Sequence, residues 1–271
     1  MLIFLKLGGS LITEKEKPHT PRQDVISRLA EEISSAFHLN PSLKLILGHG
    51  SGSFGHIPAK IYHTRSGVFD QSGWKGFVEV WREARALNQI AVDSMLKAGL
   101  KIISFPPSAS LVASDGKIST WNIEPILKAL HEGIVPIIAG DVAFDSKLGG
   151  TIISTEELFD YLARQVCPQR ILLAGLEEGV WADYPQKSHL VTRITPSIFP
   201  KLASVLEGSS APDVTGGMIQ KVRNMVVLTS EIAGLKAVIF SGEQPGVVLS
   251  ALMGAMPGTS ISQDDQIKDG E

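Results

Sequence analysis

Leu2-Ile3-Phe4-Leu5-Lys6-Leu7-Gly8-Gly9-Ser10 sets the first requirement on the fold. An apolar run of this length, ended by two glycines, reads as a strand from Leu2 to Leu7 buried on both faces, as parallel strands are. Similar short runs recur at Leu43 to Leu47, Lys101 to Phe105, Val135 to Ala139, Arg170 to Ala174 and Ala237 to Phe240. Between them lie segments of helical period: Arg22 to Phe37, Trp74 to Ala98, Ile123 to Glu132, Glu156 to Val166, Met218 to Ala233 and Val247 to Leu252. The longest carries Phe77, Val80, Trp81, Ala84, Leu87, Ile90, Ala91 and Met95 at i, i+3, i+4, i+7 spacing and is closed by Gly99. Alternation of this kind predicts βαβ units, hence a mostly parallel sheet covered by helices on both faces. Ligands in such sheets lie beyond the carboxyl ends of the strands, so the loops after the strands carry the functional expectations.

The chain of 271 residues is 44% hydrophobic, with 25 basic and 28 acidic residues and a net charge of −3. It can bury a large core, and its balanced charge gives no electrostatic footprint for nucleic acid or an anionic membrane. One cysteine, Cys167, excludes an internal disulfide and cysteine-based zinc sites. The opening apolar run is too short for a signal sequence, and no stretch reaches the roughly 18 apolar residues of a membrane span. The expectation is a cytoplasmic protein with a small-molecule ligand, as one domain with a soft division near residue 170.

Four loops follow predicted strands or precede helices and share one chemical theme. Lys6-Leu7-Gly8-Gly9-Ser10 places two side-chain-free residues and a cation at a strand end, which suits phosphate oxygens and equally suits a plain turn with a solvated lysine. It lacks the spacing of a P-loop. His49-Gly50-Ser51-Gly52-Ser53-Phe54-Gly55-His56 contains a literal G-x-G-x-x-G. A dinucleotide-binding loop should open directly into a helix, whereas His56-Ile57-Pro58 follows here and Asp70 ends no second strand, so this stretch is expected to be a second glycine-rich nest, with His56 at its rim or capping a helix. Asp141, after Gly140, is open between an active-site carboxylate and a turn cap, beside a hairpin-like Asp145 to Gly150. Gly216-Gly217 precedes a helical stretch carrying Lys221, so free N–H groups and a cation again favour an anion.

Together these residues resemble the amino acid kinase superfamily, over Leu2 to about Ile261, and within it the isopentenyl phosphate kinases. Lys6 to Ser10 resembles that family's opening phosphate loop, with Lys15 matching a second lysine. The stretch ending in Phe54-Gly55-His56 is similar to H-G-G-G-x-F-G-H, and Asp213 to Lys221 to D-V-T-G-G-M-x-x-K. The resemblance implies an αβα sandwich, a homodimer, and ATP-dependent phosphorylation of isopentenyl phosphate. By it, Lys6 and Lys221 hold β- and γ-phosphates, Gly8, Gly9, Ser10, Gly52, Gly216 and Gly217 contact ATP, and Lys15 stabilises the transferring group. Ser51, Gly52, His56 and Thr155 meet the acceptor phosphate, and Phe77, Val80, Trp81, Ala84 and Leu87 are the expected wall for a prenyl tail or, equally, ordinary core. Mg²⁺ bridges the nucleotide phosphates without a dedicated protein ligand set. A fosfomycin-like phosphonate kinase and a non-catalytic sensor share the same outline. The sequence departs from the family in three places. Ser154-Thr155-Glu156-Glu157 replaces Ser-Gly-Asp-Asp, so Glu156 keeps the lysine-orienting charge on a longer arm. Leu176 replaces an aspartate near the nucleotide, and Ser51 replaces a glycine.

Overall fold

The computed structural model describes residues 1–14, 16–207 and 215–264. The chain begins with β1 (Leu2–Leu7), the single turn α1 (Gly9–Ile12), α2 (Gln23–Leu39) and β2 (Lys44–His49). Two helices follow, α3 (Gly52–Ile61) and α4 (Gln71–Lys97), then β3 (Ile102–Ser104), β4 (Leu111–Ser114) and β5 (Lys117–Trp121). Next come α5 (Glu124–His131), β6 (Val135–Ala139), β7 (Asp141–Asp145), β8 (Gly149–Ile153), α6 (Thr155–Val166) and β9 (Arg170–Gly175). The last third holds β10 (Val180–Trp181), β11 (Leu190–Val191), β12 (Arg193–Ile194), α7 (Phe199–Glu207), α8 (Thr215–Glu231), β13 (Lys236–Ser241), α9 (Val247–Leu252) and β14 (Thr259–Ile261).

Eight strands form the central sheet in the order β12-β14-β13-β9-β1-β2-β6-β3. All its pairings are parallel except β13 with β14. Period-2 alternation sends Ile3, Leu5 and Leu7 toward Val25, Leu29, Leu87 and Val248 of α2, α4 and α9. Phe4 points the other way, to Phe159 of α6 with ring centroids 5.1 Å apart, in a cluster with Val222 and Leu228 of α8. The predicted αβα layering is therefore present. By the same alternation Lys6 shares Phe4's face and emerges on the α6 and α8 side. The connections from β1 lead to β2 on one flank and those from β9 to β13 on the other, so the winding reverses between β1 and β9. That reversal opens a crevice at the strands' carboxyl ends.

Two expectations required correction. The glycine loop after β2 does open directly into a helix, α3, with Pro58 inside it. Pro58 removes one backbone donor, yet α3 packs along α4 and tolerates that loss. The rejected dinucleotide reading still fails, because Asp70 is no strand-end ribose ligand: it caps α4 by accepting from the Gly73 amide at 2.7 Å. A second sheet, β5-β4-β7-β8, also went unforeseen apart from its β7–β8 hairpin. Its β4–β5 turn is Asp115-Gly116, both at positive φ, which is the Asp-Gly hairpin signal. Among the described residues no helix is long and apolar enough to cross a membrane.

Candidate active site

The strand β1 delivers Lys6 to the crevice and stops because Gly8 turns the chain against β9. The Gly8 amide donates to the Ala174 carbonyl at 2.7 Å, and the Gly50 amide donates to Leu7 at 2.9 Å. The first two glycine loops therefore lie against each other. A Cβ on Gly9 would sit 2.3 Å from the Gly52 nitrogen, and one on Gly50 would sit 2.7 Å from the Gly9 nitrogen. Gly52 itself has φ +51° and starts α3 after Ser51, whose side chain makes no capping bond. The Ser53 amide donates to Thr13 Oγ1 at 2.9 Å and the Phe54 amide to the Ser51 carbonyl at 3.0 Å, so what the start of α3 offers an anion is chiefly the positive end of the helix dipole.

Lys6 is 8% exposed and its Nζ donates to Glu156 Oε1 in the first turn of α6. Burial alone would raise the Glu156 carboxyl; the charges of Lys6 and Lys221, with the Lys6 bond, outweigh it and hold the group below its usual range. Burial, then repulsion from Lys6, lowers Lys221, while Glu156 opposes the shift. One carboxylate thus sits between two cations and offsets their repulsion in a desolvated place. Glu156 thus stands against Lys6 and within the field of Lys221.

Two cavities meet at Lys6. One, of about 270 Å³, is lined by Lys6, Gly9, Ser10, Gly50, Ser51, Gly52, Gly55, His56, Ala59, Val80, Ala84, Gly140, Asp141, Ile152, Ser154, Thr155 and Glu156. The other, of about 90 Å³, lies in the β1–β9 crevice against Lys6, Gly8, Leu173, Ala174, Gly175, Leu176, Glu177, Met218, Lys221, Ile239 and Phe240. His56 is exposed toward the first. Partial desolvation and the charges of Lys60 and Lys6 lower its imidazole, with Glu156 acting against them, so it is neutral at pH 7 before an anion arrives. Among the described residues nothing lies within 4 Å of where a Cβ on Gly217 would stand, at the start of α8, and Gly216 precedes it in the same turn.

Several expected residues stand elsewhere or act differently. Phe77 is buried in a satellite cluster with Val68, Val80 and Val142 and does not line the cleft. Trp81 is on the surface with the Arg85 guanidinium 5.6 Å above its ring. The helical stripe is wider than the wall, because only Val80 and Ala84 lie on the arc of α4 that faces the cavity; Leu87 is core. Thr155 lines the cleft, but its hydroxyl donates to the His49 carbonyl at 2.6 Å and accepts from the Gly140 amide at 2.9 Å, so its proton is committed to the scaffold. Asp141 lines the cleft and accepts from the Val142 and Ser108 amides at 2.8 and 3.2 Å, with burial raising its carboxyl. Lys15 and Asp213 lie outside the described residues. The sequence had no signal for Ala59 and Ile152 as apolar lining, since each comes from an element whose facing depends on the whole fold.

His49, at the end of β2, is fully buried. Its Nδ1 donates to the Gly50 carbonyl at 3.0 Å and its Nε2 accepts from Asn88 at 3.0 Å, while Asn88 Oδ1 accepts from Ser104 at 2.7 Å. Burial pushes this imidazole down to about 4, so it is a neutral brace for the glycine loop. Among the described residues no group of three histidine, cysteine or carboxylate side chains is placed to hold a metal ion.

Residues 1–241 match the amino acid kinase family. The chain is 34% identical to isopentenyl phosphate kinase of Methanocaldococcus jannaschii, across 96% of this chain and 98% of that protein. It is 35% identical to the enzyme of the same name from Methanothermobacter thermautotrophicus, across 96% and 99%. A crystal structure of an isopentenyl phosphate kinase superimposes with a TM-score of 0.81 at 32% identity, over 97% of this chain and all of that one. The two phosphate-suited cavities joined at Lys6 agree with that kinship, and the chain belongs to the amino acid kinase family, within its isopentenyl phosphate kinase branch.

Proposed function

We propose that this protein transfers the γ-phosphoryl group of ATP to the phosphate of isopentenyl phosphate, forming isopentenyl diphosphate and ADP. The observation that carries the reading is Lys6 as the shared wall of both cavities, with a carboxylate and a second lysine ordered around it. The nucleotide occupies the β1–β9 crevice, its phosphates reaching Gly8, Gly9, Gly216 and Gly217. The acceptor phosphate sits at the start of α3 against Ser51, Gly52 and His56, and its tail runs to Ala59, Val80, Ala84 and Ile152. An acceptor phosphate oxygen bonds to the γ-phosphorus as the bridge to the β-phosphate breaks, and the bridging oxygen leaves on ADP. Little covalent work is asked of the protein: Lys6 and Lys221 stabilise charge as it moves toward the leaving group, and His56 orients the attacking phosphate. Lys15 is assigned to the transferring group on the resemblance of its motif alone.

Mg²⁺, when bound, neutralises the nucleotide's phosphates. Glu156 is already held by Lys6, which fits an ion carried by phosphate oxygens rather than by a protein cage. Cytoplasmic location and a homodimer are part of the same proposal, to be checked by fractionation and light scattering.

A panel with ATP and Mg²⁺ tests the reading against isopentenyl phosphate, dimethylallyl phosphate, fosfomycin, uridylate and acetylglutamate. ADP release is expected with the prenyl phosphates first, and its absence there sinks the proposal. Release only with fosfomycin establishes the phosphonate alternative, and none with any acceptor establishes the sensor. His56→Ala should raise the acceptor KM by roughly tenfold or more, the loss of a hydrogen bond to a charged group. Its ATP affinity should stay near the parent's; equal loss of both refutes the role given to His56.

A further inference from the structure

Arg65 and Glu157 line neither cavity, yet they join the elements around them in one polar junction. Arg65 lies in the 3-10 turn Thr64–Ser66 between α3 and α4. Its Nη1 donates to Glu157 Oε2 at 2.9 Å and its Nη2 to Glu157 Oε1 at 2.6 Å, a two-pronged pair. The same guanidinium donates to the Ile152 carbonyl at the end of β8, and Thr151 Oγ1 donates to the Arg65 carbonyl at 3.0 Å. Glu157 is equally committed on its own side. Its Oε2 accepts from the Ser154 amide and hydroxyl, both at 2.7 Å, completing the capping box that starts α6.

Each end of this junction carries a reacting group by one short step. Glu157 follows Glu156, the carboxylate that orders Lys6, in the same helical turn. Arg65 follows α3, the helix that presents His56, with only Tyr62 to Thr64 between. Burial would raise the Glu157 carboxyl, but Arg65 and Ser154 hold it ionised.

We infer that the Arg65–Glu157 pair is a positioning latch: it clamps the end of α3 to the start of α6 and so fixes the span between the acceptor-phosphate site at His56 and the lysine-ordering carboxylate Glu156. A planar fork does this better than a point charge, because two parallel bonds fix orientation as well as distance. The latch acts on the transfer distance, to which rate is steeply sensitive. This inference rests on the kinase reading above.

The test uses Glu157→Gln, which keeps an oxygen for the Ser154 cap, Arg65→Lys, which keeps the charge without the fork, and the double variant. All should fold, since the pair is at the surface, and melting temperatures check this. In each single variant kcat/KM for isopentenyl phosphate should fall roughly tenfold to a hundredfold, with the ATP KM within about twofold of the parent. The double variant should be no worse than the worse single one, as members of one unit are not additive. Additive losses, an ATP KM rising in step with the acceptor's, or parent-like kinetics in both single variants each overturn the latch. Hydrogen exchange of the Gly52–Ile61 amides in ligand-free protein provides a second readout that needs no turnover. Faster exchange in Glu157→Gln supports the latch even if the parent phosphorylates a different acceptor, and unchanged exchange overturns it even if isopentenyl phosphate is the substrate.

Discussion

At Gly9 an added methyl would lie 2.3 Å from the Gly52 nitrogen; at Gly217 it would meet nothing within 4 Å among the described residues. The two glycines look alike in the sequence, each part of a Gly-Gly pair beside a lysine-bearing element. They answer different demands. In the first two loops the glycines are required by the protein's own backbone, since Gly9, Gly50 and Gly52 let two strand ends pack loop against loop. At the start of α8 no atom of the described residues requires the missing side chain at Gly217, which suits the approach of a ligand there. A glycine-rich loop is therefore not by itself a phosphate cradle; half of this one is a weld between β1 and β2.

The largest consequence is expected for Gly9→Ala. Overlap with backbone has no flexible side chain to absorb it, so stability should drop by about 3 kcal/mol or more. Thermal melts check this, and a variant that melts like the parent breaks the distinction. His49 braces the welded side through Gly50, and its titration sharpens the comparison. An unfolded histidine takes its proton near pH 6.5. His49 in the folded protein does so only at about 4. Between those values the unfolded chain binds more protons, so stability falls as pH falls, by roughly 3 kcal/mol at most over the window. His49→Gln should flatten that part of the stability profile; an unchanged slope between pH 6.5 and 4 removes the brace.

Gly217→Ala should leave the melting temperature equal or slightly raised, because alanine suits a helix better. Its ATP KM should rise by about tenfold, because the added methyl holds a phosphate oxygen off the backbone amides and costs about one bond to a charged group. A fall in stability with unchanged ATP binding would reverse the assignment of the two glycine classes. The smallest effect belongs to Ala84→Leu, which narrows the open side of the cleft. Preference should shift from prenyl toward shorter alkyl phosphates by a few-fold, about 1 kcal/mol, in competition assays. No shift would return Ala84 to plain core.

The layered fold was legible because buried strands announce themselves: β1, β6 and α9 fall on their predicted bounds. The α3 helix was hidden by Pro58, whose cost is offset only by packing on α4, a contact no local stretch reveals. Lys6, His56, Lys221 and Glu156 were legible from motif and resemblance, and the structure brings them to adjoining cavities. The split of the α4 stripe into cleft, core and surface was not legible. Phe77, Val80, Trp81 and Ala84 share one helical repeat, and only the placement of β7, β8 and α3 decides which of them meets the cavity. Thr155 lines the cleft, but no local stretch shows that its hydroxyl proton goes to the His49 carbonyl, 106 residues earlier in the chain.

The position of β1 has a consequence in time. Leu5 pairs with Leu47 on one side and with Leu172 on the other. The strand bearing Lys6 is thus synthesised early but flanked on one side by a partner that leaves the ribosome far later. Pairing across such sequence separation is slow, because the loop between must be ordered first. Until β9 arrives, β1 and β2 present an unpaired apolar edge of the kind chaperones cover. Lys6 therefore sits on a seam that closes only after β9 has emerged, and a nascent chain stalled before Gly175 would hold both glycine loops while lacking the crevice between β1 and β9.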